Sequence, residues 1–131
     1  MVIIDTSVII DHLRQSSEGD TLLLKIAKAM PKENLALSVI SVQELYEGKS
    51  TKNKEKEQLL LATISPLKIL SYTYEIAQKA GEIARESGQP IELADAAIAA
   101  TAIVNNAELL TVNKKHFEKI PELKLENNLS G

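Results

Sequence analysis

Short apolar runs alternate along the chain with stretches whose apolar residues recur at helical spacing. The short runs, which are typical of strands in a parallel sheet, lie at residues 2–4, 35–38, 67–70, 108–111 and 123–125. Helical patterns lie at residues 8–14, 21–30, from 41 to about 48, 52–63, 73–87 and 95–103, with a short helix or turn at 113–118. Such alternation predicts an α/β fold of three layers, α/β/α, with a mostly parallel four- to five-stranded sheet.

Polar residues mark the predicted helix starts. Thr6 or Ser7 is suited to cap the first helix, and Asp20 is suited to cap the second. The run Ser41-Val42-Gln43-Glu44 has the S-x-x-E pattern of a capping box and predicts the start of the third helix. Residues 15–19 are predicted to form a loop, and residues 127–131 a frayed tail.

Length and composition are those of one folded domain. The chain has 131 residues, of which 44% are hydrophobic and 25% charged, so we expect a single domain spanning residues 1–131. The absence of cysteine excludes disulfides and thiolate metal sites and favours a reducing, cytoplasmic location. Because Asp5 interrupts the apolar start of the chain, neither a signal peptide nor a membrane span is expected.

The net charge of the chain is −3, from 18 acidic and 15 basic residues. This charge counts against a protein that is held to nucleic acid mainly by contacts with phosphates. However, a cation bound to carboxylates reverses the sign of the local charge that a phosphate meets. Net charge therefore leaves a nucleic-acid enzyme open.

Four polar residues fall where ligand sites form in parallel sheets. Asp5 follows the first predicted strand, Glu44 is expected in the first turn of the helix after the second, and Asn113 follows the fourth. Asp95 opens the helix of small residues that leads into the fourth strand. Ligands bind at the carboxyl ends of such strands, so we expect these side chains to converge.

Oxygen donors of this kind are the ones that Mg²⁺ and Mn²⁺ prefer. Asp5, Glu44 and Asp95 are therefore predicted to hold one of these ions. A zinc site is not expected, because the chain has no cysteine and only two histidines, His12 and His116, which are predicted to be surface groups. Glu92 is predicted to be a solvated residue at the entry of a helix, although its position also allows it to join the acids.

Helix capping is an alternative explanation for each acid taken alone. Asp5 or Asp95 would serve as an N-cap, and Glu44 would close a capping box with Ser41. The metal site is favoured because several acids fall at one sheet edge, and because Asp5 ends an apolar run where an unpartnered carboxylate is costly.

These residues belong to four sequence blocks. The blocks are residues 2–11 (VIIDTSVIID), 38–45 (SVISVQEL), 95–102 (DAAIAATA) and 110–117 (LTVNKKHF). In this order and at this chain length they resemble the motifs of PIN-domain proteins, especially VapC-type toxins of toxin–antitoxin systems. The resemblance covers nearly the whole chain and implies metal-dependent cleavage of RNA phosphodiester bonds, a homodimer, and a cognate antitoxin that wraps the toxin and covers its site.

The resemblance also implies roles for individual residues. Asp5 and Asp95 match acids that would be the principal metal ligands, and Glu44 matches an acid that would hold a water or accept its proton. Asn113 matches a position where Asp or Asn occurs and would orient water or substrate. His116 stands where many relatives carry another acid, which favours one bound ion over two. Side chains expected to hydrogen-bond to the ligands are Thr6, Ser7 and Thr111.

Other functions remain open at this point. The main alternative is a PIN-like module that binds RNA or protein without cutting. A phosphatase that forms an aspartyl phosphate is a weaker alternative, because Asp5-Thr6-Ser7 lacks a second acid two positions on. Leucines at 22–24 and 59–61 exceed what one helix face needs, and they supply either core or a surface for a partner.

Overall fold

The computed structural model describes residues 1–15 and 19–129. The strands are β1 (Val2–Ile4), β2 (Leu35–Ser38), β3 (Lys68–Leu70), β4 (Glu108–Leu110) and β5 (Lys124–Leu125). The helices are α1 (Thr6–Arg14), α2 (Leu22–Ala29), α3 (Val39–Glu47), α4 (Lys54–Ile64), α5 (Tyr74–Glu86), α6 (Leu93–Val104) and α7 (Lys114–Phe117). Short 3₁₀ turns span Lys32–Asn34 and Lys49–Lys52. The loop predicted at 15–19 and the tail predicted at 127–131 fall partly on residues 16–18 and 130–131, which lie outside the described residues.

The strands of the described residues form one five-stranded sheet in the order β3-β2-β1-β4-β5. Every neighbouring pair is parallel. In the central strand β1, Ile3 pairs with Ala36 of β2 and Ile4 pairs with Leu110 of β4. A central strand is covered on both faces, which explains why residues 2–4 are apolar without alternation. The predicted fold class is confirmed, with β5 at an edge as expected.

Helices cover both faces of this sheet. On one face, Val2 and Ile4 pack against apolar residues of α1, α2, α3 and α4. On the other face, Ile3 packs against α6 and against Phe117 of α7. Each fully buried isoleucine contributes about 1.5–3 kcal/mol, so the core fixes the strand ends from which the polar residues project. In the part of the chain described, no helix has the length and apolar character needed to cross a membrane.

The first two helices begin differently from the prediction. α1 starts at Thr6 with Asp5 in the N-cap position, and no side chain caps it, so capping by Thr6 or Ser7 is wrong. α2 is capped by Thr21, whose Oγ1 accepts a backbone N–H of the helix at 3.3 Å, and Asp20 does not cap it. The capping residue of α2 is thus the neighbour of the predicted one, whereas α1 has no capping side chain.

The third helix also begins earlier than predicted, at Val39. Ser38, the last residue of β2, caps it by accepting the N–H of Ile40 at 3.1 Å. The capping box predicted to start at Ser41 is therefore wrong. Glu44 lies in the second turn of α3 and not in the first, and Ser41 is fully buried within the helix.

Candidate active site

Asp5 continues the sheet at the point where β1 ends. Its backbone N–H donates to the carbonyl oxygen of Leu110, at the end of β4, over 2.9 Å. The residue is only 4% exposed. A carboxylate with so little access to water needs hydrogen-bond partners.

Two hydroxyls supply these hydrogen bonds, and both donate to the same carboxylate oxygen. Ser7 Oγ and Thr111 Oγ1 donate to Asp5 Oδ2 over 2.5 and 2.8 Å. Each hydroxyl in turn accepts a backbone N–H, from Val112 at 3.3 Å and from Asn113 at 2.9 Å. Both of these hydrogen bonds go to Oδ2, and neither goes to Oδ1. The two hydroxyls thus fix one oxygen of the Asp5 carboxylate.

Glu44 is held by a second pair of hydroxyls. The hydroxyl oxygen of Thr6 lies 2.6 Å from Glu44 Oε1 and 2.7 Å from Ser41 Oγ. Thr6 has one hydroxyl hydrogen and an ionised carboxylate only accepts, so Thr6 donates to Glu44 and accepts from Ser41. This explains why Ser41 is buried within α3 instead of capping it. We call Thr6, Ser7, Ser41 and Thr111 the hydroxyl cluster.

Asp95 lies in the first turn of α6. Its Oδ2 is 3.2 Å from Nδ1 of His116, which is carried by the short helix α7. The Asp95 side chain is 18% exposed and that of His116 is 54% exposed. This side of the site is therefore open to solvent.

The charge of Asp5 acts on the ionisation of both Glu44 and Asp95. Desolvation by burial raises the pKa of Glu44; the hydrogen bond from Thr6 lowers it, and the charges of Asp5 and Asp95 raise it further. Desolvation also raises the pKa of Asp95; His116 opposes this, and the charge of Asp5 adds to it. Without a cation, these acids repel one another.

Asn113 is the least constrained of the predicted site residues. It is exposed and precedes α7, where its side chain forms no cap. Only its backbone joins the site, because its N–H donates to Thr111 Oγ1. A cleft of about 800 Å³ opens beside Asp95 and His116. Its other lining residues include Arg85, Lys115 and Lys119.

The donor set fits a hard divalent cation. Carboxylate oxygens are the ligands that Mg²⁺ and Mn²⁺ prefer, and such ions commonly take one or two carboxylates and keep several waters. In the described portion, no group of three His, Asp or Glu side chains is close enough to hold one ion jointly. The acids therefore suit an ion that is bound partly through water.

Comparison with known proteins identifies the family. The sequence profile of the PIN domain matches residues 2–123. The chain belongs to the PIN-domain family.

Its relatives in this family include two ribonucleases. Ribonuclease VapC10 of Mycobacterium tuberculosis strain H37Rv is 35% identical over 127 residues, covering 95% of this chain and 91% of the relative. Ribonuclease VapC19 of the same strain is 36% identical over 127 residues, covering 94% and 97%. Among solved structures, the VapBC2 complex of Rickettsia felis bound to a promoter DNA fragment contains a chain that matches with a TM-score of 0.83 and 28% identity, covering 96% of this chain and 97% of that one.

The geometry of this PIN domain agrees with some details of the sequence analysis and corrects others. Asp5, Glu44 and Asp95 interact electrostatically across one edge of the sheet. Their assignment as metal ligands stays a prediction, as does the role of Asn113. Glu92 is exposed, as expected, and its charge helps to raise the pKa of Asp95.

The contact between His116 and Asp95 was not predicted from the sequence. His116 is exposed, as expected, but it is also the ion-pair partner of a site residue. No sequence pattern links the two residues, because the contact depends on how α7 packs against α6.

Proposed function

We propose that this PIN domain is the toxin of a toxin–antitoxin pair and hydrolyses RNA phosphodiester bonds with the help of Mg²⁺ or Mn²⁺. The observation that carries the proposal is that Asp5, at the end of β1, lies near enough to Glu44 and Asp95 for its charge to raise the pKa of both. The similarity to VapC ribonucleases over nearly the whole chain supports RNA as the substrate. The cytoplasm is the proposed location.

Asp5 and Asp95 would be the principal ligands of the ion, with Asp5 contributing the oxygen that the hydroxyl cluster leaves open. When bound, the ion supplies Lewis-acid polarisation of the phosphate and lowers the pKa of a water. The carboxylates of this chain provide the charge that attracts the ion to a protein of net negative charge.

Glu44 is the proposed proton acceptor. Burial and the neighbouring charges raise its pKa, which makes it a stronger base than an isolated carboxylate. In the hydrolysis, a water oxygen would bond to phosphorus, its proton would pass to Glu44, and the bond from phosphorus to the 3′ oxygen would break as that oxygen takes up a proton from solvent water. The hydrogen bond from Thr6 fixes the direction in which Glu44 points. Asn113, exposed beside the site, would orient water or substrate.

The partner is proposed to be an antitoxin protein, and the chain itself a homodimer. The matching structure from Rickettsia felis is of a VapBC complex. The two leucine-rich stretches contribute both core and surface: Leu23 and Leu60 are buried, whereas Leu24, Leu59 and Leu61 are exposed. Exposed leucines on two helices offer apolar surface that a partner chain can cover.

A cleavage assay tests the nuclease. Purified protein is incubated with a broad panel of structured RNAs and Mn²⁺, with and without EDTA, beside Glu44→Gln and the exposed control Glu33→Gln. We expect metal-dependent cleavage by the wild type and the control, and none by Glu44→Gln. Sequencing RNA ends after induction in cells should then reveal discrete sites. Failure to cut any RNA in the panel would favour the module that binds without cutting.

Light scattering tests the assembly. We expect the mass of a dimer at micromolar concentration and a higher mass with a co-expressed antitoxin. A monomer at high concentration, together with no gain in mass from the co-expressed protein, would refute the assembly while leaving the nuclease untouched.

A further inference from the structure

Two segments of the chain line most of the cleft beside Asp95 and His116. One is the end of α5 with the connection to α6, within residues 82–92, and the other is α7 with the turn that follows it, within residues 115–122. The volume of about 800 Å³ lies within the range of about 300–1,000 Å³ found for pockets that hold small molecules. The cleft is therefore large enough for a ligand of the size of a nucleotide.

Three isoleucines give the cleft an apolar lining. Ile83, Ile91 and Ile120 line it and are each partly buried. They pack against core clusters that include residues of α6, so the core fixes their positions. Pro90 and Pro121 are exposed in the same lining, and their rings restrict the backbone. Because enzymes hold an unstacked base between aromatic or apolar side chains, this lining suits the flat face of a nucleobase.

The charged residues of the cleft are of both signs. Lys115 and Lys119 are exposed in it, and the ion pairs among the described residues include neither of them. Glu82 and Glu92 line it as well. Ammonium groups attract a phosphate, whereas carboxylates repel a phosphate but accept the N–H groups of a base. The mixed lining therefore fits a whole nucleotide better than it fits a free phosphate.

A turn with unfavourable backbone geometry links the two segments. The N–H of Leu123 donates to the carbonyl of Ile120 over 3.4 Å, and Glu122 has a φ of 73°. This position of a turn favours glycine, because left-handed backbone is unfavourable for a residue with a side chain. The glutamate makes a contact that glycine could not make, since its Oε1 accepts from Nζ of Lys79 in α5 at 2.8 Å. Glu122 thus links the turn after α7 to α5.

We propose that this cleft binds a nucleotide of single-stranded RNA next to the phosphate that is cut. The phosphate of this nucleotide contacts Lys115 and Lys119, and its base lies on the isoleucine lining. A base is available for such binding only where the RNA is unpaired. The inference rests on the proposed function, because Asp95 and His116 belong both to the candidate active site and to the cleft. The cleft then determines which nucleotide flanks the cut.

Binding of RNA in EDTA tests the phosphate contacts without cleavage. The probe is a short, fluorescently labelled single-stranded RNA of mixed sequence, and its affinity for the full chain is measured by anisotropy at increasing salt. We expect Lys115→Gln and Lys119→Gln each to make the slope of log K against log [salt] shallower by about 0.7, the contribution of one neutralised phosphate. Lys25→Gln, which replaces an exposed lysine of α2, should keep the wild-type slope.

RNA with a single missing base tests the base contact. Once the cut is located by sequencing RNA ends, kcat/KM with Mn²⁺ is compared between the intact RNA and RNAs that lack the base on one or the other side of the cut. For one of these positions we expect the wild type to lose at least about fivefold, the lower end of what stacking of one base contributes. Ile91→Ala should reduce this loss. Ile69→Ala, which truncates an exposed isoleucine of β3, should not.

Glu122→Gly separates the role of the cleft from stability. Glycine relieves the unfavourable backbone, and an exposed ion pair contributes little to stability, so the melting temperature should equal or exceed that of the wild type. The loss of kcat/KM caused by the missing base should nevertheless become smaller, because the turn after α7 is no longer linked to α5. If this loss stays at the wild-type value in both Glu122→Gly and Ile91→Ala, the base does not lie in the cleft.

The outcomes separate this inference from the proposed function. RNA that is cut, with wild-type salt slopes in both lysine variants, would overturn the role of the cleft and leave the nuclease intact. RNA that is bound but not cut would refute the nuclease, while the slopes in EDTA still decide whether the cleft holds RNA. A probe that does not bind in EDTA would overturn the role of the cleft. Unchanged slopes together with weaker binding of the antitoxin would assign the cleft to the antitoxin instead.

Discussion

Asp5 and Asp95 are proposed to bind the same ion, yet the protein holds them in different ways. Asp5 is 4% exposed and is fixed by two hydroxyls and by a sheet hydrogen bond. Asp95 has a side chain that is 18% exposed, and its partner His116 is exposed itself. The inner side of the site, Asp5 with its two hydroxyl partners, is therefore fixed by buried hydrogen bonds, whereas the outer side, Asp95 and His116, is open to solvent.

This difference indicates where changes should be most damaging. No other group can take the place of a buried carboxylate that its neighbours already hold in the geometry the reaction needs. An exposed residue at the outer side can be replaced by water or by movement of a neighbouring side chain. The following predictions test that contrast.

The largest effect is expected for Asp5→Asn. Cleavage with Mn²⁺ should fall by more than about 100-fold, the upper end of what the indirect partners of a metal ligand cost. In EDTA, the variant should be as stable as the wild type or more stable, by about 0.5–2 kcal/mol, because the amide oxygen still accepts the hydroxyls and the repulsion with Glu44 and Asp95 is relieved. Initial cleavage rates and thermal melts measure the two effects.

Asp11→Asn is the matched control for this change. Asp11 lies in α1, the helix whose N-cap position Asp5 occupies, but the Asp11 carboxylate accepts from Gln15 and takes no part in the site. Its replacement should preserve cleavage, and the wild type should gain stability from Mn²⁺ far more than Asp5→Asn does. Melting curves of the wild type that do not respond to Mn²⁺, together with a destabilised Asp5→Asn, would mean that the acids are structural.

A smaller effect is expected when one hydroxyl of the inner side is removed. Thr111→Val should destabilise the protein by about 1–3 kcal/mol, since Asp5 loses a hydrogen bond and the N–H of Asn113 loses its acceptor. Cleavage should fall roughly tenfold. Thr101→Val is the control: Thr101 is also buried, but its hydroxyl donates to Ala97 within the same helix. Equal losses of cleavage in the two variants would refute the positioning role of Thr111.

On the outer side, Asn113→Ala should have a milder effect. The side chain is exposed and forms no hydrogen bond with another described residue, so stability should change by no more than about 0.5 kcal/mol. Loss of one hydrogen bond to water or substrate is worth about 1 kcal/mol, or roughly a fivefold lower kcat/KM. Asn34→Ala, at the amino end of β2, should leave kcat/KM unchanged. A loss as large as that of Asp5→Asn would show that the outer side is as constrained as the inner side.

The smallest effect concerns the pH dependence of stability in EDTA. The pKa of Glu44 is raised above its ordinary value of 4.5 by burial and by nearby charges. The folded state therefore binds the proton more tightly than the unfolded chain does, and stability falls as pH rises from 4.5 through the raised pKa. Urea titrations should show that Glu44→Gln loses less stability over this range than the wild type. Glu33→Gln should follow the wild type, and a Glu44→Gln curve parallel to it would contradict the sign.

The sequence was most informative where one physical requirement dominates. The apolar run at residues 2–4 required burial on both faces, and β1 is the central strand. The order of elements followed from the alternation of patterns, since parallel strands need helical crossovers. The acids Asp5, Glu44 and Asp95 were predicted to converge because parallel strands end at the same sheet edge, and their role as metal ligands stays a prediction.

The sequence signal for a helix start gave a wrong prediction where β2 runs directly into α3. Ser41 and Glu44 have the spacing of a capping box, but Ser41 turns inward to Thr6, a residue distant in sequence. No sequence pattern near Ser41 indicates that Thr6 is its partner. The contact of His116 with Asp95 was missed for the same reason, because it depends on how α7 packs against α6.

One hydrogen bond of the site has a consequence for synthesis. The bond from Thr111 to Asp5 joins residues 106 positions apart, and β1 lies between β2 and β4. As the chain emerges from the ribosome, β1 cannot pair with β4 until β4 has been synthesised near the end of the chain. Pairing between strands so distant in sequence forms slowly. Translation that stops before β4 should release no cutting fragment. The nuclease would become able to cleave RNA only when almost all of the chain has been synthesised.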